Sequence, residues 1–212
     1  MSDFWITFLS NLSDTTWLEA LAVILGIASV WYARREHILV YPTGIVSVLV
    51  YVYICFNTRL YADAGINLFY FFMSVYGWYN WTKVDTTNEI LKISANTLIQ
   101  QWFGVVFTFI SYWSILGLIW LFNRNDTVYM HSWVPWIDSF TTAVFLNAML
   151  LMARKKIENW TYWIIGNVVS IPMYFIKGLV FTSFQYVVFL VLAIMGLMEW
   201  RKRLLEQKSM SC

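Results

Sequence analysis

The sequence predicts an all-α integral membrane protein: seven transmembrane helices in a parallel-repeat 3+1+3 arrangement. Three observations carry that prediction. Apolar residues make up 60% of the chain and charged ones only 12%, against roughly 25% charged in a soluble domain. Seven apolar runs whose few charges lie near their ends, each close to the ~20 residues that cross a bilayer, account for most of the 212 residues. The basic residues then sort to one side. Arg34, Arg35, Lys83, Lys92, Arg154, Lys155, Lys156, Arg201, Lys202, Arg203 and Lys208 share one face of the seven-span plan, leaving Arg59, Arg124 and Lys177 on the other. The positive-inside rule puts the N-terminus outside and the C-terminus in the cytoplasm.

Residues 1–16 are expected to form an N-terminal interfacial segment, because Phe4, Trp5, Phe8, Leu9 and Leu12 recur at helical spacing. No positively charged start with a small-residue cleavage pattern precedes it, so the segment is expected to stay in the mature chain. The spans read as 17–33, 38–56, 61–81, 102–122, 134–153, 160–176 and 182–200. They group into a first repeat 17–81, a linker helix with loops 82–133, a second repeat 134–200 and a cytoplasmic tail 201–212. Trp17, Tyr32, Tyr61, Trp81, Trp102, Trp133, Trp136 and Trp200 sit at span ends, as aromatic belts require.

The repeat shows as three spacings: the basic pair Arg34 and Arg35 recurs 120 residues on at Arg154 and Lys155, while Gly44 pairs with Gly166 and Trp78 with Trp200 at 122. Two three-helix units joined by one extra helix share an orientation and are related by an axis along the membrane normal. Pro42 and Pro172 each fall in the middle helix of a unit, where a missing amide is expected to kink the helix.

The sixth span, NWTYWIIGNVVSIPMYFIK, is where function is expected. Trp160, Trp163, Asn167, Ser170, Tyr174 and Lys177 fall on one helical stripe, and Ile164, Ile165, Val168, Val169, Ile171 and Phe175 fall elsewhere. In a bilayer such a polar, aromatic stripe must face the bundle interior or a wet cavity, where ring faces can sandwich a flat or cationic solute. Trp160 lies near the predicted cytoplasmic interface, so belt anchor and ligand contact both stand open for it. In the third span Asp63, Asn67 and Tyr70 share a stripe, with interhelical bonding and ligand contact equally open for Asn67. In the fifth, Asp138, Thr141, Thr142, Phe145 and Asn147 read as interhelical glue.

Several classes are excluded. His37 and His131 stand alone, no HExxH or GxSxG motif is present, and Cys55 and Cys212 set up no disulfide framework or metal site. No cofactor is expected. The seventh span has no mid-helix lysine for a retinal Schiff base, and a net charge of +2 without a basic face gives nucleic acid no footing.

The stretches ARKKIENWTYWIIGNVVSIPMYFIKGL, with its WxxWxxxN core, and YADAGINLFYFFMSVYGWYNW resemble the PnuC family of bacterial nicotinamide riboside transporters. The resemblance implies a non-enzymatic carrier of the bacterial inner membrane that admits nicotinamide riboside for NAD biosynthesis, rejects its phosphate, and works by facilitated diffusion with intracellular trapping by phosphorylation. It implies that Trp160, Trp163 and Asn167 belong to the substrate site; Asn67, Tyr70, Tyr174 and Thr142 complete the expected lining. A small homo-oligomer is compatible with it. The alternative is an ion-coupled transporter of a related vitamin such as thiamine, with Asp63, Asp138 and Glu199 as titrating groups.

Overall fold

The computed structural model describes residues 16–58, 61–84, 90–124 and 126–210, so residues 1–15 of the expected interfacial segment and Cys212 lie outside the described residues. Eight helices are present among them. Seven are long: α1 Trp17–Arg34, α2 Val40–Asn57, α3 Tyr61–Thr82, α4 Leu98–Asn123, α5 Val134–Ala153, α6 Asn159–Ile176 and α7 Val180–Met210. A single turn, Thr127–Met130, precedes α5. Two starts carry capping boxes, Thr16 with Glu19 and Thr97 with Gln100, each satisfying backbone N–H groups that the first helical turn leaves free.

Five of these helices are long and apolar enough by themselves to cross a membrane: α1, α2, α4, α5 and α7. The other two long helices, α3 and α6, carry the polar stripes singled out above. Their residues trade lipid solubility for interior polarity. α7 continues as helix to Met210, ten residues beyond its expected end at 200. Strong helix formers in RKRLLEQK, with Lys202 paired to Glu206 four residues on, extend it.

Contacts close a ring: α1 on α2, α2 on α3, α3 on α5, α5 on α6, α6 on α7, and α7 back on α1. α4 stands outside and packs chiefly on α5. One joint there is polar, because the Asn147 amide donates to Gly104 O at 3.0 Å and Thr108 Oγ1 at 2.9 Å. This is the interhelical role expected of Asn147. Such bonds are worth about 0.6 kcal/mol on average in a membrane and up to ~1.7. Asn147→Leu should lower the unfolding temperature in detergent by a few degrees while leaving ligand affinity unchanged. A loss of affinity with unchanged stability would contradict that assignment.

The two halves of the ring match in detail at one spacing, 119 residues, where the basic pairs suggest 120 and the conspicuous glycines and tryptophans 122. Trp81 Nε1 donates to Met152 O at 3.1 Å, and Trp200 Nε1 donates to Ala33 O at 3.0 Å. Tyr41 meets Trp81 edge-on at 87°, as Trp160 meets Trp200. Gly77 lets the Tyr41 ring close in, and Gly196 does the same for Trp160. Arg34 Nε pairs with Glu199 at 3.1 Å, while Asn80 Nδ2 reaches Ala153 O at 3.4 Å. Glu36 and Lys155 both adopt left-handed backbone, φ 57° and 49°, and pair with each other at 2.7 Å. Swapping the halves reproduces each contact, which is the signature of a two-fold relation. Trp78 therefore does not pair with Trp200, nor Gly44 with Gly166.

Pro42 is also corrected. It lies in the first turn of α2, where its missing N–H disturbs no helical bond, whereas Pro172 is interior to α6.

Candidate functional site

α6 is built inside out for a soluble helix and correctly for a membrane one. Trp160, Gly166, Asn167, Ser170 and Met173 are buried, while Ile165, Val168, Phe175 and Ile176 are exposed. The apolar residues take the lipid side because the ring interior takes the polar ones.

Within the ring four aromatic side chains form a ladder drawn from three helices. Trp163 stacks on Phe145 with centroids 5.2 Å apart and planes at 30°. Phe145 stacks on Tyr186 at 6.1 Å and 12°, and Tyr186 on Tyr174 at 5.1 Å and 11°. Tyr70 of α3 and Tyr51 of α2 lie within electrostatic range of Tyr186, so five ring helices contribute. Phe145 can lie flat on α6 because residue 166 is glycine; a Cβ there would fall 2.1 Å from its ring.

Beside the ladder are polar atoms without protein partners. Trp163 Nε1 and Ser170 Oγ are buried and make no hydrogen bond among the described residues. Asn167, one turn above Trp163, is 2% exposed. A buried donor left unpaired costs about 1–3 kcal/mol, so donors gathered on one stripe call for a ligand or water. The chemistry offered is recognition. Ring faces suit a flat cation, and the amide and hydroxyl suit a carboxamide or sugar hydroxyls.

The expected lining residues separate into groups. Trp163, Asn167, Tyr174 and Tyr70 come together around the ladder. Trp160 is fully buried in the cluster at the basic end, set on Gly196 and Trp200. Asn67 is half-buried and donates to Asp63 O of its own helix at 2.9 Å, which occupies part of its amide. Thr142 is half-buried, one turn before Phe145. Phe145, read from the sequence as glue, and Tyr186, not singled out there, are the additions. At the 119-residue spacing Tyr186 is the counterpart of Asn67, a signal that the correct register would have exposed.

At the far end from the basic cluster, Lys177 Nζ sits 3.1 Å from both Asp138 oxygens and over the Tyr174 ring at 5.4 Å. Lys177 thus turns to a partner rather than to headgroups. Tyr129 O–H donates to Asp138 at 3.4 Å; burial, then the adjacent carboxylate, pushes its phenol up to about 12. That phenol stays protonated through the physiological range, so the contact does not switch. At the basic end a depression of about 530 Å³ is lined by Lys83, Lys92, Arg154 and Lys156, well apart from the ladder. No group of three or more His, Cys, Asp or Glu able to hold a metal occurs among the described residues.

Comparison with known proteins places this geometry. The family model described as nicotinamide mononucleotide transporter matches residues 16–202. The nicotinamide riboside transporter PnuC of Escherichia coli (strain K12) is 28% identical over 205 residues, covering 88% of this chain and 86% of that one. The riboflavin/roseoflavin transporter RibM of Streptomyces davaonensis is 25% identical over 184 residues, covering 87% and 84%. A crystal structure of the vitamin B3 transporter PnuC shares the fold, with TM-score 0.67, 24% identity, and coverage of 94% of this chain and 87% of that chain. Each of these proteins is a transporter, not an enzyme. With a match running from the capping threonine of α1 to two residues past Trp200, the chain belongs to the nicotinamide mononucleotide transporter family.

Proposed function

We propose that this protein carries nicotinamide riboside across the bacterial inner membrane by facilitated diffusion, phosphorylation inside the cell trapping the solute for NAD biosynthesis. One observation carries the reading: a ring-stacked ladder from Tyr174 to Trp163 runs beside Asn167 and Ser170, on a helix that turns its apolar side to lipid. The riboside has a flat pyridinium cation at one end and hydroxyls at the other. Cation–π contacts of roughly 0.5–2 kcal/mol per ring, with two or three hydrogen bonds, reach a micromolar site near −8 kcal/mol without a buried acid. Trp163, Asn167, Tyr174 and Tyr70 form its centre, with Thr142 and Asn67 at its edge. Trp160 supports Trp163 from the basic end.

All seven long helices cross the membrane in this reading, as units 17–81 and 134–200 related by a two-fold along the membrane normal, with α4 within 82–133 as the link. The closed contact ring and the 119-residue correspondence support it. The basic end faces the cytoplasm and Lys177 the outside, which places the N-terminus outside and the C-terminus, following 201–212, in the cytoplasm.

Ion coupling is the less favoured mechanism. Asp138 is held by Lys177, and Glu199 by Arg34 and Arg203, so neither carboxylate is uncompensated. Proteoliposomes loaded with unlabelled riboside provide the test. Labelled riboside should exchange equally well after proton and sodium gradients are collapsed. Exchange that stops with the gradients would contradict the facilitator mechanism, and exchange of thiamine or riboflavin alone would contradict the substrate.

A further inference from the structure

We infer that Phe145 determines which flat solutes pass, as the ring dividing the outer part of the ladder, Tyr174 and Tyr186, from the inner part, Trp163; this rests on the transport reading above. Three observations converge on it. Phe145 is an interior rung, 8% exposed, stacked on Trp163 on one side and Tyr186 on the other. A solute moving along the ring faces from Tyr174 to Trp163 must therefore get past this phenyl ring. The ring also rests on Gly166, where a Cβ would meet three of its carbons at 2.1 to 2.7 Å. Its position is thus set by α6.

The third observation comes from the repeat. At the 119-residue spacing, Phe145 corresponds to Gly26 and Gly166 to Ser47. In the first half the crossing of α1 and α2 is made by Ser47 against Gly26, with Ser47 Oγ donating to Ala22 O at 2.8 Å and a Cβ on Gly26 lying 3.3 Å from that hydroxyl. A serine suffices to join the helices there. The phenyl ring in the second half is larger than an equivalent joint uses, and it projects among the aromatic residues of the site rather than into lipid. Its bulk serves the path. A six-membered ring can exchange places with a phenyl of similar width, while a tricyclic isoalloxazine needs about three times that breadth of face. Phe145 is therefore a size filter favouring a single-ring vitamin over a flavin.

The test uses the full chain in proteoliposomes, comparing labelled nicotinamide riboside and labelled riboflavin uptake by wild type, Phe145→Ala, Phe145→Leu, Gly166→Ala and the Phe145→Ala/Gly166→Ala double variant. Phe145→Ala should raise the riboflavin-to-riboside uptake ratio about tenfold or more, and Phe145→Leu by a smaller factor, within the range that pocket size alone discriminates. Gly166→Ala should cut riboside uptake about tenfold by driving the ring into the path, and removing the ring in the double variant should restore it. The riboflavin-to-riboside ratio, read on variants whose unfolding temperature in detergent matches wild type, distinguishes a filter from a merely misfolded variant. An unchanged ratio in both position-145 variants, or no rescue in the double variant, would overturn the inference while leaving riboside transport intact. Wild type moving neither solute would instead overturn the transport reading, and the inference with it.

Discussion

Trp163→Ala should weaken nicotinamide riboside binding by about thirtyfold or more, because it removes a ring face worth roughly 0.5–2 kcal/mol to a cation together with its buried apolar contact. Trp163→Phe should restore most of it, since a phenyl ring keeps the stack on Phe145 but loses the partnerless Nε1–H. Asn167→Ala should cost about tenfold, the worth of one to two hydrogen bonds from a desolvated amide. Trp160→Phe gives the contrast. Trp160 is wedged between Gly196 and Trp200 in the inner cluster, so its substitution should lower stability and leave riboside affinity within about threefold. Titration of the purified variants by calorimetry checks all four. Equal losses at Trp160 and Trp163 would contradict the division of labour.

The second large effect concerns stability. A Cβ at Gly196 would lie 2.6 to 2.7 Å from three atoms of the Trp160 indole, which is fully buried against Trp200. Trp200 in turn is tied to Ala33 O at 3.0 Å, so neither ring has freedom to retreat. Gly196→Ala should cost about 3 kcal/mol, the upper end of overpacking penalties. Gly77→Ala should cost about the same, because Tyr41 meets it at 2.5 to 2.6 Å in the other half. Gly65 and Gly117 have nothing within 4 Å, and alanine there should be neutral or stabilising by up to about 1 kcal/mol through helix propensity. Thermal unfolding in detergent separates the two pairs. Similar shifts at all four glycines would show that the paired aromatic joints do not hold the halves together.

The inward face of α6 was legible because a bilayer makes polarity expensive. An asparagine, a serine and two tyrosines or tryptophans on one face of an apolar helix must point inward, and α6 does bury that face. What the pattern could not separate was Trp160 from Trp163. Both are inward aromatics one turn apart, and only tertiary contacts at two glycines, one on α7 and one on α6 itself, tell them apart. Gly196 seats the first and Gly166, by seating Phe145, builds the stack on the second. Phe145 itself was read as glue, since a phenylalanine in an apolar span carries no polarity to betray its direction.

The register was the part of the repeat that the sequence pattern missed. Matching identical residues pairs Trp78 with Trp200 and Gly44 with Gly166, yet the folded halves pair Trp81 with Trp200, Tyr41 with Trp160, Glu36 with Lys155 and Asn80 with Glu199. Equivalent positions kept their structural job and changed their chemistry. A tyrosine and a tryptophan fill the same hole, and a left-handed turn is held once by an acid and once by its partner base. Sequence identity cannot see that. The Lys177 to Asp138 pair was hidden for a similar reason, since residues 39 positions apart reveal their proximity only when α5 and α6 are packed.

The most direct measurement is equilibrium binding of nicotinamide riboside and its 5′-phosphate to the purified protein in detergent, followed by tryptophan fluorescence, which the Trp163 indole in the site should report. The predicted result is micromolar binding of the riboside with the phosphate at least about a hundredfold weaker, because Lys177, the cation over the Tyr174 end of the ladder, is already paired with both Asp138 oxygens and burying a phosphate unpaired is costly. Equal binding of the phosphate, or no binding of the riboside, would contradict the assignment of this site to a neutral-tailed pyridinium nucleoside.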